Sequence, residues 1–320
     1  MKIFAYSVRP DEIELFRLFS NTYSVTVDTT DKAPSLATAD LSAGYEAISI
    51  ITTPIDRPLL EQFKALGVHY VSTRTVGFEH IDGKAAEELG IAYGNVSYSP
   101  YSVAEYTVMF MLMALRKTKT ILAKNAMQDY SLAGTTGRQL HNQTVGIIGT
   151  GKIGRTVIKI LQGFGCKILA TDPYPDSVLA NDIHYVSLAE LLAASDVITL
   201  HVPASTDDSY LLGKAEFAAM KEGMVVVNTA RGSLIDQEAL MDAIEVGKVG
   251  AAALDVIQQE KALYYNDLRY NPLSARTLAI LRSYPNVIVT SHTAFHTDQA
   301  ISDMVENSIK ACIEHCSTEK

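Results

Sequence analysis

A glycine-rich turn is the feature that most constrains how this chain folds. In the segment Thr144–Gly154, a β-branched run is followed by three glycines spaced as in G-x-G-x-x-G. Gly149 would make a tight turn, Gly151 would let the backbone approach a pyrophosphate, and Gly154 would let a helix pack closely on a sheet. The pattern predicts a dinucleotide-binding βαβ unit.

The residues that follow the turn favour one dinucleotide. A helix opening at Lys152 and Ile153 would direct free N–H groups and its positive dipole end at phosphates. Asp172 ends the next predicted strand, near the roughly 20-residue separation expected of a ribose-binding carboxylate. A carboxylate there accepts hydrogen bonds from both ribose hydroxyls and repels a 2′-phosphate, so NAD is expected rather than NADP. The alternative is a glycine-rich turn with a surface aspartate, which the strand–turn–helix context disfavours.

Strand-like and helix-like stretches alternate in two series. The predicted strands are Lys2–Val8, Ser24–Thr29, Ala47–Thr52, His69–Arg74 and Ile91–Val96, then Thr144–Gly149, Lys167–Asp172, Val197–Val202, Met224–Ala230, Ala251–Val256 and Val287–Ser291. The predicted helices include Pro58–Leu66, Asp82–Leu89, Ser102–Arg116 and Gln299–His315. Such alternation predicts an α/β protein with parallel sheets. We expect two doubly wound domains, a Rossmann-like NAD domain (99–295) inserted in a flavodoxin-like substrate domain (1–98 plus 296–320), with the ligand in a cleft between them.

Composition excludes some classes of protein. The formal net charge of −9 would repel a phosphate backbone, so nucleic acid is not an expected partner. The longest apolar run, Val108–Leu115, is too short to span a bilayer, and the N-terminus lacks the pattern of a signal peptide. Three cysteines argue against a disulfide framework, and no metal site is expected. We therefore expect a cytoplasmic protein. The helix over Ser102–Arg116 is apolar nearly all round, which suits either the core or a subunit interface.

Three polar residues follow strands of the second series. Arg231 follows Met224–Ala230, Glu260 lies shortly after Ala251–Val256, and His292 follows Val287–Ser291. Ligands of open parallel sheets bind outside the carboxyl ends of strands, so these side chains could share one cleft. Arg231 could hold a carboxylate, His292 could exchange a proton with a carbonyl oxygen, and Glu260 could orient His292. Each has an unremarkable alternative as a surface charge or a structural histidine.

Three motifs in this half of the chain resemble those of the D-2-hydroxyacid dehydrogenases. They are Asn228-Thr-Ala-Arg-Gly232, Ala253-Leu-Asp-Val256 and Thr290-Ser-His-Thr-Ala294. The likeness extends over nearly the whole chain, including Ser72–Gly77 and Tyr98-Ser-Pro100. It is nearest to the D-lactate dehydrogenase branch, which includes the vancomycin-resistance type.

The resemblance implies the roles of several residues. It makes His292 the acid/base, Glu260 its partner and Arg231 the carboxylate anchor. It also implies that the backbone of Val76 and Gly77 receives the substrate carboxylate. The remaining implied contacts are Tyr98 and Phe295 at the substrate, Ala230 and Asp255 at the nicotinamide carboxamide, and Val202 and Pro203 at the adenosine half. Family members are usually homodimers built around the helix that corresponds to Ser102–Arg116.

The sequence departs from its relatives at two places. Vancomycin-resistance enzymes lack an acidic residue where Asp172 stands, which makes that role less expected and NAD more so. Lactobacillar D-lactate enzymes carry an aromatic residue near Ile50–Thr52, and this chain does not. The leading expectation is reduction of pyruvate to D-lactate, narrowly ahead of bulkier acids such as 2-ketoisocaproate and phenylpyruvate. Phosphoglycerate, with Arg57 and Arg74 as nearby cations, and an NAD-sensing corepressor are more remote alternatives.

Overall fold

The fold was analysed in a computed structural model that describes residues 1–181, 183–205, 209–260, 263–273 and 275–318. Its backbone contacts divide the chain into two compact units. The first unit comprises Met1–Ser99 and His296–Lys320, and the second comprises Pro100–Phe295. The second unit is thus inserted in the sequence of the first.

Strands and helices alternate through most of the described residues. The strands are β1 (Lys2–Ala5), β2 (Thr26–Thr29), β3 (Ala47–Ile50), β4 (Tyr70–Thr73), β5 (Ala92–Asn95), β6 (Thr144–Ile148), β7 (Lys167–Thr171), β8 (His184–Tyr185), β9 (Val197–Leu200), β10 (Met224–Asn228), β11 (Val249–Leu254) and β12 (Val287–Val289). The helices are α1 (Ile13–Tyr23), α2 (Arg57–Ala65), α3 (Gly83–Leu89), α4 (Tyr101–Leu115), α5 (Thr118–Ala126), α6 (Lys152–Gln162), α7 (Leu188–Ala194), α8 (Lys214–Ala219), α9 (Gln237–Glu245), α10 (Arg276–Ser283) and α11 (Asp298–Thr318).

The first unit is built on a five-stranded parallel sheet with the order β2-β1-β3-β4-β5. This is the flavodoxin-like order, so the predicted fold of this part is confirmed. Helices α2 and α3 begin where a preceding aspartate caps them: Asp56 accepts from Leu59 N and Asp82 from Ala85 N. Successive residues of β1 face two different cores, as expected of a sheet covered on both sides.

The second unit is built on a seven-stranded parallel sheet with the order β12-β11-β10-β9-β6-β7-β8. The sequence predicted six of these strands, and the short edge strand β8 is an addition to the prediction. The order reverses direction between β6 and β9, and in such sheets a crevice forms at this switch point. Buried residues of β10 alternate between two apolar clusters, one on each face.

Helix α4 occupies one face of the second sheet. Ala104, Phe110 and Met111 are fully buried in the same cluster as residues of β6 and β10. Met109, however, remains 39% exposed on the other side of the helix. Most of α4 therefore lies in the core of the second unit, as one of the two interpretations predicted. A subunit interface on the outer face of α4 stays a prediction. None of the helices among the described residues is long and apolar enough to cross a membrane.

Candidate active site

The glycine turn of the second unit has the geometry that its spacing predicts. Gly149 has a φ of +93°, and a Cβ there would lie 2.6 Å from the carbonyl oxygen of His201. A Cβ on Gly154 would lie 2.1 Å from the carbonyl oxygen of Gly149. By contrast, a Cβ on Gly151 would meet nothing within 4 Å. Two glycines are thus required for packing, while the middle one faces open space through which a pyrophosphate can approach.

The carboxylate at the end of β7 is anchored to this turn. Asp172 Oδ2 accepts hydrogen bonds from Thr150 N at 2.7 Å and Thr150 Oγ1 at 3.0 Å, and Oδ1 accepts one from Tyr174 N at 2.8 Å. Burial raises the pKa of Asp172, but these hydrogen bonds outweigh it and leave the pKa below its ordinary value. The carboxylate is therefore ionised, and its oxygens retain acceptor positions that suit ribose hydroxyls.

Other predicted cofactor residues surround the same turn. Lys152 and Ile153 form the first turn of α6, with Gly151 as its N-cap, so the free N–H groups of that helix lie beside the open space. Val202 lies against the turn, because its Cγ1 would be 2.7 Å from a Cβ on Gly149. Pro203 follows it and is exposed. These residues fit a dinucleotide with a free 2′-hydroxyl.

His292 and Glu260 are in direct contact. They follow β12 and β11, which are neighbours in the sheet, and His292 Nδ1 lies 2.6 Å from Glu260 Oε1. Glu260 Oε2 in turn accepts a hydrogen bond from Ile257 N at 3.2 Å. The two side chains remain 27% and 23% exposed. Because Glu260 is paired with Nδ1, the other ring nitrogen, Nε2, is the one that can exchange a proton with a ligand.

The backbone of His292 is held in an uncommon conformation. Its φ is +56°, in the left-handed region that non-glycine residues rarely adopt. Two hydrogen bonds hold this backbone in place. The N–H of His292 donates to the carbonyl oxygen of Asp255 at 2.7 Å, and Tyr265 Oη donates to the carbonyl oxygen of His292 at 2.9 Å. Such strain persists only where the surroundings determine it, and it aims the imidazole.

The side chain of Asp255 organises the turn that carries His292. It is fully buried, and Oδ1 accepts from Thr290 Oγ1 at 2.5 Å and Thr293 N at 2.9 Å. Oδ2 accepts from Ala294 N at 2.8 Å. The family resemblance implied a contact between Asp255 and the nicotinamide carboxamide, and that contact stays a prediction. What the structure adds is a set of bonds from Asp255 to both sides of His292.

Arg231 follows the next strand of the sheet, β10. Asn228 shapes its turn, since the amide donates to the carbonyl oxygen of Arg231 at 2.8 Å and accepts from Ala230 N at 2.9 Å. The Nη1 of Arg231 donates to the carbonyl oxygen of Ala230 at 2.9 Å. Among the described residues, no hydrogen bond joins Arg231 to His292. The ring of Phe295 packs edge-on against the ring of His292, with 6.3 Å between the ring centroids.

The predicted carboxylate-binding loop lies in the first unit, after β4. Its carbonyl groups are engaged: Asn95 Nδ2 donates to Val76 O at 2.5 Å, and Thr75 Oγ1 donates to Gly77 O at 2.6 Å. Among the contacts described, none takes the N–H groups of Val76 and Gly77, and Val76 is 42% exposed. The loop thus presents donors, as an anion requires. Tyr98 lies in the same unit and is partly buried.

Two cations considered as anion ligands are already paired. Arg74 is fully buried and bonded to Glu12, and Arg57 forms an ion pair with Glu88 on the surface. The expectation that they could serve a phosphorylated substrate is therefore wrong for Arg74. Sequence reasoning also missed Tyr265, Thr290 and Asn228, whose roles depend on turns that no spacing rule describes.

Comparison with known proteins identifies the family. The model of the D-isomer specific 2-hydroxyacid dehydrogenase NAD binding domain matches residues 108–294. An aromatic 2-oxoacid reductase of Clostridium sporogenes is 42% identical over 96% of this chain and 93% of its own length. A D-specific alpha-keto acid dehydrogenase of Enterococcus faecium is 41% identical over 98% and 96%. The solved structure of a D-2-hydroxyisocaproate dehydrogenase matches with a TM-score of 0.92 at 34% identity, covering 100% of this chain and 98% of that one. These matches confirm the resemblance read from the motifs, and the chain belongs to the D-isomer specific 2-hydroxyacid dehydrogenases, as an NAD-dependent oxidoreductase.

Proposed function

We propose that this dehydrogenase reduces 2-keto acids with bulky apolar or aromatic side chains, such as phenylpyruvate and 2-ketoisocaproate, to the D-2-hydroxy acids. The observation that carries the proposal is the segment Ile51–Thr53, which follows β3. It contains no aromatic side chain, and Thr52 at its centre is exposed. Pyruvate, which the sequence favoured narrowly, becomes the second candidate.

The segment Ile51–Thr53 follows a strand that is paired with the strand leading to the predicted carboxylate-binding loop. Strands β3 and β4 are parallel neighbours, with Ile50 paired to Thr73, so the residues that follow them meet at one edge of the sheet. Thr73 Oγ1 also donates to the carbonyl oxygen of Ile51 at 2.9 Å. A keto acid whose carboxylate met the N–H groups of Val76 and Gly77 would therefore extend its side chain toward Ile51–Thr53. Small side chains there leave room for a ring.

Two of the relatives support the same substrate class. The Clostridium sporogenes protein is named an aromatic 2-oxoacid reductase, and the matched structure is a D-2-hydroxyisocaproate dehydrogenase. Both names denote acids larger than pyruvate. The comparisons lend no support to the corepressor alternative.

The residues of the second unit supply the chemistry of reduction. NADH, when bound, provides the hydride that reaches the keto carbon. His292 would donate the Nε2 proton to the keto oxygen as negative charge develops there, and would take it back in the reverse direction. Glu260 would hold the ring through Nδ1 and balance the charge of the protonated form. Arg231 would bind the substrate carboxylate with its two-pronged guanidinium.

Substrate preference can be tested by kinetics. The wild-type enzyme with NADH should show a higher kcat/KM for phenylpyruvate and 2-ketoisocaproate than for pyruvate, by at least about tenfold, since each additional buried methylene contributes about 0.8 kcal/mol. Thr52→Tyr should place an aromatic ring where the side chain of the keto acid would lie, and so move the substrate preference toward pyruvate. Thr52→Ala is the matched control, because it adds no bulk and should keep the wild-type order. A wild-type preference for pyruvate would refute the proposal.

We also propose that the enzyme is a homodimer formed through α4. The outer face of this helix contributes Met109 and Leu112 to a largely apolar groove of about 400 Å³. Ile160 and Phe164 also line it, together with the charged residues Glu105 and Arg116. Exposed apolar surface of this kind commonly marks a subunit interface. Sedimentation should give twice the chain mass, and Met109→Glu should shift it toward the monomer. A wild-type monomer at micromolar concentration would contradict the proposal.

We also propose that the protein is located in the cytoplasm. Cys166, Cys312 and Cys316 are all free thiols in the structure, which is compatible with a reducing compartment. Cell fractionation with an antibody against the chain would test it. Recovery in an extracellular fraction would contradict it.

A further inference from the structure

Arg74 is the largest fully buried side chain among the described residues of the first unit, yet it carries a charge. Its Nε donates to Glu12 Oε1 at 3.1 Å, Nη1 to Ser49 Oγ at 2.9 Å, and Nη2 to the carbonyl oxygen of Tyr6 at 2.9 Å. The guanidinium also lies over the ring of Phe16, 5.1 Å from its centroid. All three nitrogens of the guanidinium therefore donate to groups within the protein, and Arg74 has no exposed surface with which to bind substrate.

The partners of Arg74 are themselves fixed. Glu12 is fully buried, and its Oε2 accepts a hydrogen bond from Arg9 N at 2.9 Å. Ser49 is bonded to Ser308 at 2.6 Å, and Ser308 donates to Ser72 at 2.8 Å. This chain of hydroxyls connects β3, β4 and α11 under the guanidinium. Arg9 Nη2 also donates to Glu12 Oε1 at 3.2 Å, so Glu12 pairs with two arginines. A buried charge is costly to desolvate, and removal of Glu12 would leave the guanidinium of Arg74 without its carboxylate partner.

The pair lies directly before the loop that presents the open N–H groups. Arg74 N donates to the carbonyl oxygen of Ile50 at 2.8 Å, one residue beyond the end of β4, and Val76 comes two residues later. Beyond that point the loop is held by Thr75 Oγ1, which lies 2.7 Å from Thr73 Oγ1 and donates to Gly77 O. Arg74 thus fixes the position from which the chain leaves the sheet, and Thr75 fixes the turn that follows.

We propose that Glu12 and Arg74 form a positioning pair that holds the backbone of Val76 and Gly77 in place to bind the carboxylate of the substrate. The inference rests on the proposed function, in which these N–H groups receive the keto acid. It assigns the buried arginine a role in substrate affinity although it touches no ligand. A lysine cannot replace it, because one ammonium cannot reach Glu12, Ser49 and the Tyr6 carbonyl at once.

The test compares variants of the pair with a variant of the same core. Arg74→Lys should raise the KM for the keto acid and the Kd for oxamate in the NADH complex by about tenfold or more, because displacements near 1 Å can cost up to 100-fold. The Kd for NADH should change by less than about twofold, since Arg74 and the cofactor residues belong to different units. Leu60→Ala, in another core of the first unit, should lower the thermal midpoint but leave the keto-acid KM unchanged.

Two further variants keep the test decisive. Ser49→Ala removes one acceptor of Arg74 and should fold even if Arg74→Lys does not, with a KM rise of about threefold. Glu12→Gln combined with Arg74→Lys should raise KM little more than Arg74→Lys alone, because the contact between Glu12 and Arg74 is already disrupted in the single variant.

The outcomes separate the inference from the function on which it rests. If the variants of Glu12 and Arg74 lose thermal stability as Leu60→Ala does but keep the wild-type KM for the keto acid, the pair has only a structural role. That outcome would overturn the inference. An equal loss of NADH affinity would overturn it as well. A wild-type enzyme that prefers pyruvate would refute the proposed substrate alone, and the inference would then be decided by the KM for pyruvate.

Discussion

Replacing Asp255 with asparagine tests how His292, the proposed proton donor, is held. The carboxylate of Asp255 accepts hydrogen bonds on both oxygens, from Thr290 and Thr293 on Oδ1 and from Ala294 on Oδ2. An asparagine has one acceptor oxygen, and its NH₂ group would face a donor. In its better orientation it keeps the bonds at Oδ1 and leaves the N–H of Ala294, a buried residue, without an acceptor.

The energetic cost follows from these contacts. A buried N–H without a partner costs about 1–3 kcal/mol, and each of the two retained bonds loses about 1 kcal/mol when the acceptor is no longer charged. The turn is therefore weakened by about 4 kcal/mol, against a backbone strain at His292 of about 1–3 kcal/mol. We expect the turn to relax and misplace the imidazole, so that kcat/KM falls by about 100-fold, equivalent to about 2.7 kcal/mol.

Steady-state kinetics and NADH fluorescence titration together check this prediction. Asp255→Asn should lower kcat, with the Kd for NADH within about threefold of the wild type. Asp236→Asn is the matched control, since Asp236 caps α9 through Glu238 N and Ala239 N and asparagine caps equally well. A loss of NADH affinity with kcat preserved at saturation would refute the reasoning and favour the direct nicotinamide contact that the sequence predicted.

Three other residues give shorter tests. Asp172→Ala should reduce the preference for NADH over NADPH by at least about tenfold in kcat/KM, because the repulsion of a 2′-phosphate is lost. Arg231→Lys should raise the keto-acid KM by about tenfold and leave the Kd for NADH unchanged, because an ammonium cannot make the two-pronged contact. Burial lowers the pKa of His201 to about 3. The unfolded chain therefore binds the proton first, and unfolding free energy should fall by up to about 2 kcal/mol between pH 8 and pH 5 in guanidinium titrations. His201→Gln should remove that part of the pH dependence. If the unfolding free energy of this variant changed with pH as in the wild type, His201 would not be its source.

Much of the fold could be predicted because its signals are local. The spacing of the glycines at 149, 151 and 154, together with the β-branched run before them, predicted a strand, a turn and a helix, and all three elements are found. Strand β8 was missed because two residues, His184 and Tyr185, are too few for a periodic pattern. Helix α1 was also missed, and its N-cap, Glu12, makes no side-chain capping bond of the kind that marks a helix start in sequence.

The site was predictable to the extent that it follows from strand ends. Glu260 and His292 could be expected in one cleft because both come after strands of one parallel sheet, whereas their pairing was implied only by the family resemblance. In the structure the two side chains meet. The support for His292 could not be predicted in the same way, since its partner Tyr265 lies 27 residues earlier in the chain, before α10 and β12. The sequence analysis treated Arg74 as an available cation because its partner Glu12 lies 62 residues away, and no local sequence pattern indicates that the two side chains are paired.

A buried carboxylate supports a functional turn in each unit, and this leads to a last prediction. Asp255 bonds the turn around His292, and Glu12 bonds the arginine that precedes Val76. The two sets of contacts share no residue, so their effects on the transition state should add. The double variant Asp255→Asn with Arg74→Lys should therefore lower kcat/KM by about the product of the single effects. A much smaller combined loss, measured at a temperature where all three variants are folded, would mean that the two turns respond to one common rearrangement and are not held separately.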